Sequence, residues 1–435
     1  MVEPYFTGER LTPPRLRFSV SSLQASHSNA YQGLKVYGPY DSQHLAKEAV
    51  RAALIYPNQL SSLKALLQQG LVSGDGAFGG FQRLFRVPLE FCAERRVESE
   101  DEAAVRRAVQ AVLKEERLDI VMLLTSQRHE ELYATAKAEL LGNGIPSQVI
   151  TAEKLQDPNQ RQWILGNIAL QIYAKIGGTP WTVMAASLRR ELVLGVSRAV
   201  DRHKNVVVGF VTLFTADGDY QFLHSLAPKP MEWAQLDAYR DSLANLIAES
   251  YEEYSRQQGA PASLVIHLCK RPGKFREIAA VEQALQRLGN KLGNKVPYAL
   301  IHLNDDSNYR LFDTADPTYV PETGIKVSLS RNRALLFLDG RPADRTTALR
   351  RRKGVPRVLE VVMDRRSTLP FDEFPRLVGQ VFEFARVNWR GFNAGAVPAT
   401  LNYSALVARL VAQIGTDRWN AIASAGALRD KAWFL

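Results

Sequence analysis

Five polar side chains between residues 133 and 175 have the types and spacing of an anion site. Tyr133 and Lys137 lie four residues apart, Gln148 follows Ile145-Pro146-Ser147, and Gln171 and Lys175 again lie four apart. Residues at i and i+4 share one face of a helix, so two helices can each aim a pair of polar groups at one point. Two ammonium groups, two amides and a phenol converging there suit a terminal phosphate. The tyrosine offers a ring face to a neighbouring base, and a ring of this kind contributes on the order of 1–3 kcal/mol per stacked base. A phosphate monoester buried this way needs fixed cations and donors to replace its lost water.

The elements required to hold these groups can be read around them. Apolar Leu118–Leu124 reads as a buried strand, 128–141 as a helix, Ile145–Ile150 as a strand and 160–176 as a helix. Upstream, 44–54, 60–69 and 100–115 read as helices and Phe81–Phe91 as extended, while residues 1–38 read as short extended segments such as Arg15–Val20. Strand and helix alternation predicts a parallel sheet covered by helices, with ligands beyond the carboxyl ends of its strands. The Gly177-Gly178-Thr179-Pro180 breaker marks a boundary. Beyond it the expected strands are 192–197, 205–214 and 220–226, followed by a helix over 231–257 and a strand over 263–269. A helix over 274–288 and a strand over 298–304 come next. Shorter strands at 309–312, 325–330, 333–338 and 357–363 and helices at 371–386 and 403–414 complete the pattern. Three antiparallel strands, then helix, strand, helix, strand is the order of an RNase H-like core. Gly74-Asp75-Gly76-Ala77-Phe78-Gly79 satisfies GxGxxG, but a helix-like stretch precedes it and a strand-like one follows, the reverse of a dinucleotide site. It is expected to be a flexible surface loop.

Bulk composition sets the limits. At 435 residues the chain exceeds one ordinary core, and two domains are expected. Two cysteines, Cys92 and Cys269, are too few for a disulfide framework or a zinc site and favour a reducing cytoplasm. No stretch approaches the roughly 18 unbroken apolar residues of a membrane span, and the first ten residues, with Glu3, Glu9 and Arg10, lack the apolar centre of a signal peptide. The net charge of +10 is compatible with a polyanionic partner.

The pocket residues, together with Val36-Tyr37-Gly38-Pro39-Tyr40, Gly177-Gly178-Thr179-Pro180-Trp181, Tyr298–Asn304, Asn388-Trp389-Arg390-Gly391-Phe392 and the final Trp433-Phe434-Leu435, occur in the order seen in Argonaute proteins. The chain resembles the short prokaryotic forms, which have MID and PIWI domains only. The resemblance implies a Rossmann-like MID domain over 39–179, an RNase H-like PIWI domain over 180–435, and a leading segment, 1–38, that packs on PIWI. It implies that Tyr133, Lys137, Gln148, Gln171 and Lys175 bind the 5′-phosphate of a short guide strand, and that Asn167 and Arg390 hold the adjoining guide backbone. It further implies a divalent cation, Mg²⁺ or Mn²⁺, between the Gln171 amide oxygen, the Leu435 carboxylate and the phosphate.

In slicing relatives a carboxylate cluster holds two catalytic metal ions. At the matching positions this chain has Ser197, Cys269 and Asn402, with Lys270 beside them, so no cleavage is expected. Asp201, Asp305 and Asp306 lie in polar turns; as displaced carboxylates they would make the chain an active guide-dependent nuclease, the main alternative. A metabolite-binding α/β protein is the third reading. His267 and His302, at apolar strand ends, are expected to be structural. Arg350-Arg351-Arg352-Lys353, Arg357, Arg365, Arg366, Lys270, Arg271 and Lys274 are candidates for a duplex channel. The resemblance implies prokaryotic defence, an RNA guide with a DNA target, and a separate partner bearing an APAZ-like region and an effector enzyme.

Overall fold

The computed structural model describes residues 8–42, 45, 47–115, 117–127, 129–184, 189–201, 203–204, 206–213, 222–226, 236–269, 277–293, 295–340, 357–415, 418–419, 422 and 431–435. Two main sheets organise them. The smaller has four parallel strands in the order Leu89–Val97, Val50–Pro57, Ile120–Thr125, Ser147–Thr151. Ile120–Thr125 is buried at every position, as expected of a parallel strand covered on both faces. The helices Ser61–Ser73, Glu102–Val112, Glu130–Gly142 and Pro158–Lys175 connect or flank these strands.

The larger sheet has nine strands, ordered Gly8–Arg10, Ile325–Ser330, Arg333–Leu336, Leu359–Met363, Tyr298–Asn304, Ser263–Cys269, Glu191–Val200, Val206–Leu213, Phe222–Leu226. Ser263–Cys269 runs parallel to both of its neighbours, and the rest of the sheet is antiparallel. This is the RNase H-like arrangement anticipated from the element order. The helix Ala399–Ile414 packs across Glu191–Val200 so closely that a Cβ on Gly195 would meet the Thr400 carbonyl oxygen at 2.2 Å. Among the described residues no helix is long and apolar enough to cross a membrane.

The leading segment does not stand apart. Gly8–Arg10 extends the edge of the nine-stranded sheet, and Leu16–Arg17 lies between Ser26–His27 and Thr182–Val183 in a three-stranded sheet. The 177–181 breaker is anchored from both sides. Asp41 accepts hydrogen bonds from the Tyr173 hydroxyl (2.7 Å) and the Thr179 amide (2.8 Å), while the buried Trp181 indole donates to the Arg386 carbonyl. Asp41→Ala strands a buried phenol and a backbone N–H, and is expected to cost about 1–3 kcal/mol in thermal or denaturant unfolding.

Several expected elements differ. The 44–54 stretch is not a helix: Val50–Pro57 is a central strand, and a short apolar run covered on both faces has no periodicity to separate the two states. Phe81–Phe85 is a short helix, ended by Arg86 in the left-handed region (φ 61°), and the strand starts only at Leu89. Within 1–38, Ala30–Tyr37 is a helix, its first turn capped by the Asn29 side chain accepting from the Gln32 amide. Residues 309–312 form no strand. The Gly74–Gly79 loop is fixed rather than flexible. Asp75 and Phe78 exchange backbone hydrogen bonds, Arg161 pairs with Asp75 at 2.5 Å, and the Ala77 amide donates to Gln162 Oε1 at 2.7 Å.

Candidate functional site

Tyr133 and Lys137 stand one turn apart on the first pocket helix, Glu130–Gly142, which follows directly from the carboxyl end of Ile120–Thr125. Their side chains meet: Lys137 Nζ lies 5.1 Å from the Tyr133 ring centroid. Lys137 is only 1% exposed, and its Nζ has no hydrogen-bond partner among the described residues. An ammonium removed from water without an acceptor is a costly arrangement in a ligand-free protein.

The second pocket helix, Pro158–Lys175, carries Asn167, Gln171 and Lys175. Lys175, also 1% exposed, donates to the Ser147 carbonyl (2.8 Å) and to Gln148 Oε1 (2.6 Å). The Gln148 oxygen therefore positions the lysine, leaving its amide nitrogen near the Val149 carbonyl at 3.3 Å. Burial, then the charges of Lys137 and Arg390, push the Lys175 ammonium well below its ordinary value of 10.5. After burial, the cation with the largest effect on Lys175 is Lys137, with Arg390 next. Two buried lysines with an exposed arginine acting on one of them will favour a compact polyanion.

Gln171 Nε2 donates to the Arg390 carbonyl at 2.9 Å, tying the second pocket helix to the 388–392 segment. Asn167 lies against the same segment, where a Cβ on Gly391 would be 3.2 Å from Asn167 Oδ1. The Arg390 guanidinium is held below its ordinary value by partial desolvation and by Arg409. Sequence reading missed Arg409. It sits on Ala399–Ile414, and only the packing of that helix brings its charge to Arg390.

The last three residues are buried, at 2%, 3% and 6% exposure for Trp433, Phe434 and Leu435. Trp433 packs on Trp419 and Phe434 on Tyr403, with ring centroids 5.4 Å apart in each pair. Tyr403 in turn accepts from the Trp389 amide and donates to the Val387 carbonyl, so the tail supports the segment that carries Arg390.

The region around Ser197, Cys269 and Asn402 is differently built. Ser197 is 3% exposed, and its hydroxyl takes part in a small network with Ser404 Oγ (2.8 Å) and the Leu401 carbonyl (3.3 Å). His267 is fully buried and bonds Thr400 Oγ1 at 2.8 Å, and burial lowers its pKa to about 3. His302 pairs with Asp364 at 2.7 Å. Burial pushes the Asp364 carboxyl up, but Arg366 and His302 together hold it below its ordinary range. Cys269 ends its strand half-buried, and Asn402 lies in the first turn of Ala399–Ile414. Asp201 caps its own turn by accepting from the His203 amide, Asp305 is exposed, and Asp306 pairs with Arg357. Among the described residues no three His, Cys, Asp or Glu side chains gather as a metal site would need. Lys270, Arg271, Lys274 and 350–353 lie outside the described residues.

Comparison with known proteins agrees with this architecture. The chain is 24% identical to a protein argonaute of Cereibacter sphaeroides, over 93% of this chain and 56% of that one. It is 24% identical to a Piwi protein of Archaeoglobus fulgidus, over 93% of each. The fold superposes on Drosophila Piwi with a TM-score of 0.72 at 16% identity, covering 98% of this chain and 56% of the other. The same TM-score and identity relate it to Clostridium butyricum Argonaute bound to a guide DNA and a 19-mer target DNA, with 94% and 53% covered. The chain spans just over half the length of the Cereibacter relative and of both solved structures. The Piwi domain profile matches residues 119–415, most of the chain, and the protein therefore belongs to the Piwi domain family.

Proposed function

We propose that the protein binds the 5′-phosphorylated end of a short guide strand and captures a complementary target without cutting it. The observation that carries this reading is the pair of buried lysines, one with no acceptor and the other with a depressed pKa, set beside Arg390. Lys137 and Lys175 supply charge, Tyr133 a ring for the first base, and Gln148 the oxygen that aims Lys175. Asn167 and Arg390 hold the backbone that follows. On this reading 39–179 is the guide-end (MID) unit and 180–435 the PIWI unit. The leading segment, expected on PIWI alone, pairs with PIWI strands through Gly8–Arg10 and Leu16–Arg17. It also joins the MID side through Ala30–Tyr37, where Arg86 donates to the Lys35 carbonyl and Tyr31 to the Ala77 carbonyl. The Clostridium relative, titled as bound to a guide DNA and a target DNA, supports a guide-and-target role; the family resemblance favours an RNA guide here.

A divalent cation fits the donors present. Gln171 uses its nitrogen on the Arg390 carbonyl, which leaves its amide oxygen for a ligand. With the buried Leu435 carboxylate it would offer hard oxygen donors of the kind Mg²⁺ or Mn²⁺ prefers. Such an ion would reduce repulsion among clustered phosphate oxygens. The expected partner is a separate cytoplasmic protein with an APAZ-like region and an effector enzyme, acting in defence against invading DNA.

Filter binding with matched 5′-phosphate and 5′-hydroxyl strands, RNA and DNA, tests the reading. The phosphorylated strand is expected to bind at least tenfold tighter, and chelation of divalent ions should narrow the ratio. Equal affinities would overturn the assignment.

A further inference from the structure

Trp163 is half exposed, at 51%, on the second pocket helix. It stands four residues before Asn167 and eight before Gln171, so the three form one inclined i±4n row along the helix surface. At 1.5 Å per residue the row carries Trp163 about 12 Å from Gln171. The indole is not isolated. Tyr31 meets it edge-on at 6.5 Å between ring centroids, Phe392 meets Tyr31 edge-on at 5.1 Å, and Phe392 stacks on the buried Trp181 at 6.2 Å.

This aromatic group is held from below by the glycine loop that otherwise has no role. The Tyr31 hydroxyl donates to the Ala77 carbonyl, the Ala77 amide donates to Gln162, next to Trp163, and Arg161 pairs with Asp75. Gly166 lets the Phe392 ring approach the helix, since a Cβ there would lie 3.3 Å from it. Arg83, exposed at the edge, acts electrostatically on Tyr31. A supported aromatic surface with a cation at its margin, continuous with the phosphate pocket, has the make-up of a single-strand stacking platform.

We propose that Trp163, with Tyr31 and Phe392, stacks a base of the bound single strand about three to four nucleotides beyond its 5′-phosphate. The distance follows from dividing the roughly 12 Å row by about 3.4 Å per stacked base. This inference rests on the guide-end reading above. The site recognises a nucleobase face and is indifferent to which base it is, because every base has one.

Single-stranded 5′-phosphorylated oligonucleotides carrying 2-aminopurine at each of positions two to six, bound to the wild-type protein, Trp163→Ala and Trp163→Phe, test it. The expected result is quenching confined to one or two positions near the fourth, lost in Trp163→Ala and kept in Trp163→Phe. Affinity for a ten-nucleotide strand should fall about tenfold in Trp163→Ala, while a two-nucleotide strand binds all three proteins equally. The ratio of 5′-phosphate to 5′-hydroxyl affinity should not move. Unchanged affinity and fluorescence at all positions in Trp163→Ala would overturn the platform and give the patch to a protein partner. A wild-type protein indifferent to the 5′-phosphate would instead strike the pocket reading, and a loss of strand affinity in Trp163→Ala would still be measurable.

Discussion

Lys175→Met is expected to weaken binding of a 5′-phosphorylated strand by roughly thirty- to several-thousand-fold, with little change for the 5′-hydroxyl strand. The magnitude is that of removing one partner from a desolvated charge pair, about 2–5 kcal/mol. The same variant should change the pH dependence of the ligand-free protein. Lys175 has a folded-state pKa well below its unfolded 10.5, so between those two values the unfolded chain binds the extra proton. Stability must then rise with pH across that window and level off above 10.5. Lys175→Met removes this rise. Lys137→Met should weaken phosphate binding to a similar degree without destabilising the empty protein, because the buried Nζ it deletes has no hydrogen bond to lose. Opposite movements of stability and affinity are the mark of a charge kept for a ligand. Melting curves from pH 6 to 10.5 and paired filter-binding titrations check both. A Lys137→Met protein that is much less stable and binds phosphate normally would assign the lysine to the core.

The pocket was legible because helices turn spacing into geometry. Tyr133 and Lys137, like Gln171 and Lys175, needed only the 3.6-residue period to be placed together, and the helices Glu130–Gly142 and Pro158–Lys175 form where the apolar pattern puts them. The larger sheet was readable for a similar reason: its strands are separated by turns and by two long amphipathic helices, Leu236–Gln258 and Glu277–Leu292. What failed is what depends on tertiary context. Val50–Pro57 is apolar on both faces and carries no period. Arg409 acquires meaning only through the packing of its helix near Arg390, and the glycine loop is fixed by Arg161 and Gln162, more than eighty residues away in sequence. Gln148 was expected to supply an amide donor, and its oxygen is the atom that holds Lys175, which leaves its nitrogen to donate. A sequence pattern can name an amide but not its orientation.

Installing a carboxylate at the first catalytic position is expected to damage the fold before it could create a nuclease. Ser197 is buried beneath the first turns of Ala399–Ile414, with its hydroxyl at the Leu401 carbonyl and Ser404 Oγ. Helix and strand are closely packed here: two residues earlier in the strand the Thr400 carbonyl lies against Gly195. An aspartate in this place would crowd its oxygens against the Leu401 carbonyl, with the Ser404 hydroxyl as a neutral donor. The nearby histidine gives no compensating charge: burial holds His267 neutral throughout the physiological range, with a pKa of about 3. A buried carboxylate without a cation costs about 3–5 kcal/mol, whereas Ser197→Ala, losing two modest hydrogen bonds while Ser404 keeps the Thr400 carbonyl, should cost about 1–2 kcal/mol. Denaturant midpoints will rank wild type, Ser197→Ala and Ser197→Asp in that order, with the last gap the largest. Neither the wild type nor Ser197→Asp should cut a guide-complementary target in Mg²⁺ or Mn²⁺, since two-metal hydrolysis needs several carboxylates on one pair of ions. A divalent-dependent ladder from the wild-type protein, abolished by Asp201→Ala or Asp305→Ala, would show that the carboxylates had moved rather than gone. The physical reason for expecting none is that Asp201 and Asp306 already serve as a turn acceptor and an ion-pair partner, while Asp305 is exposed to solvent.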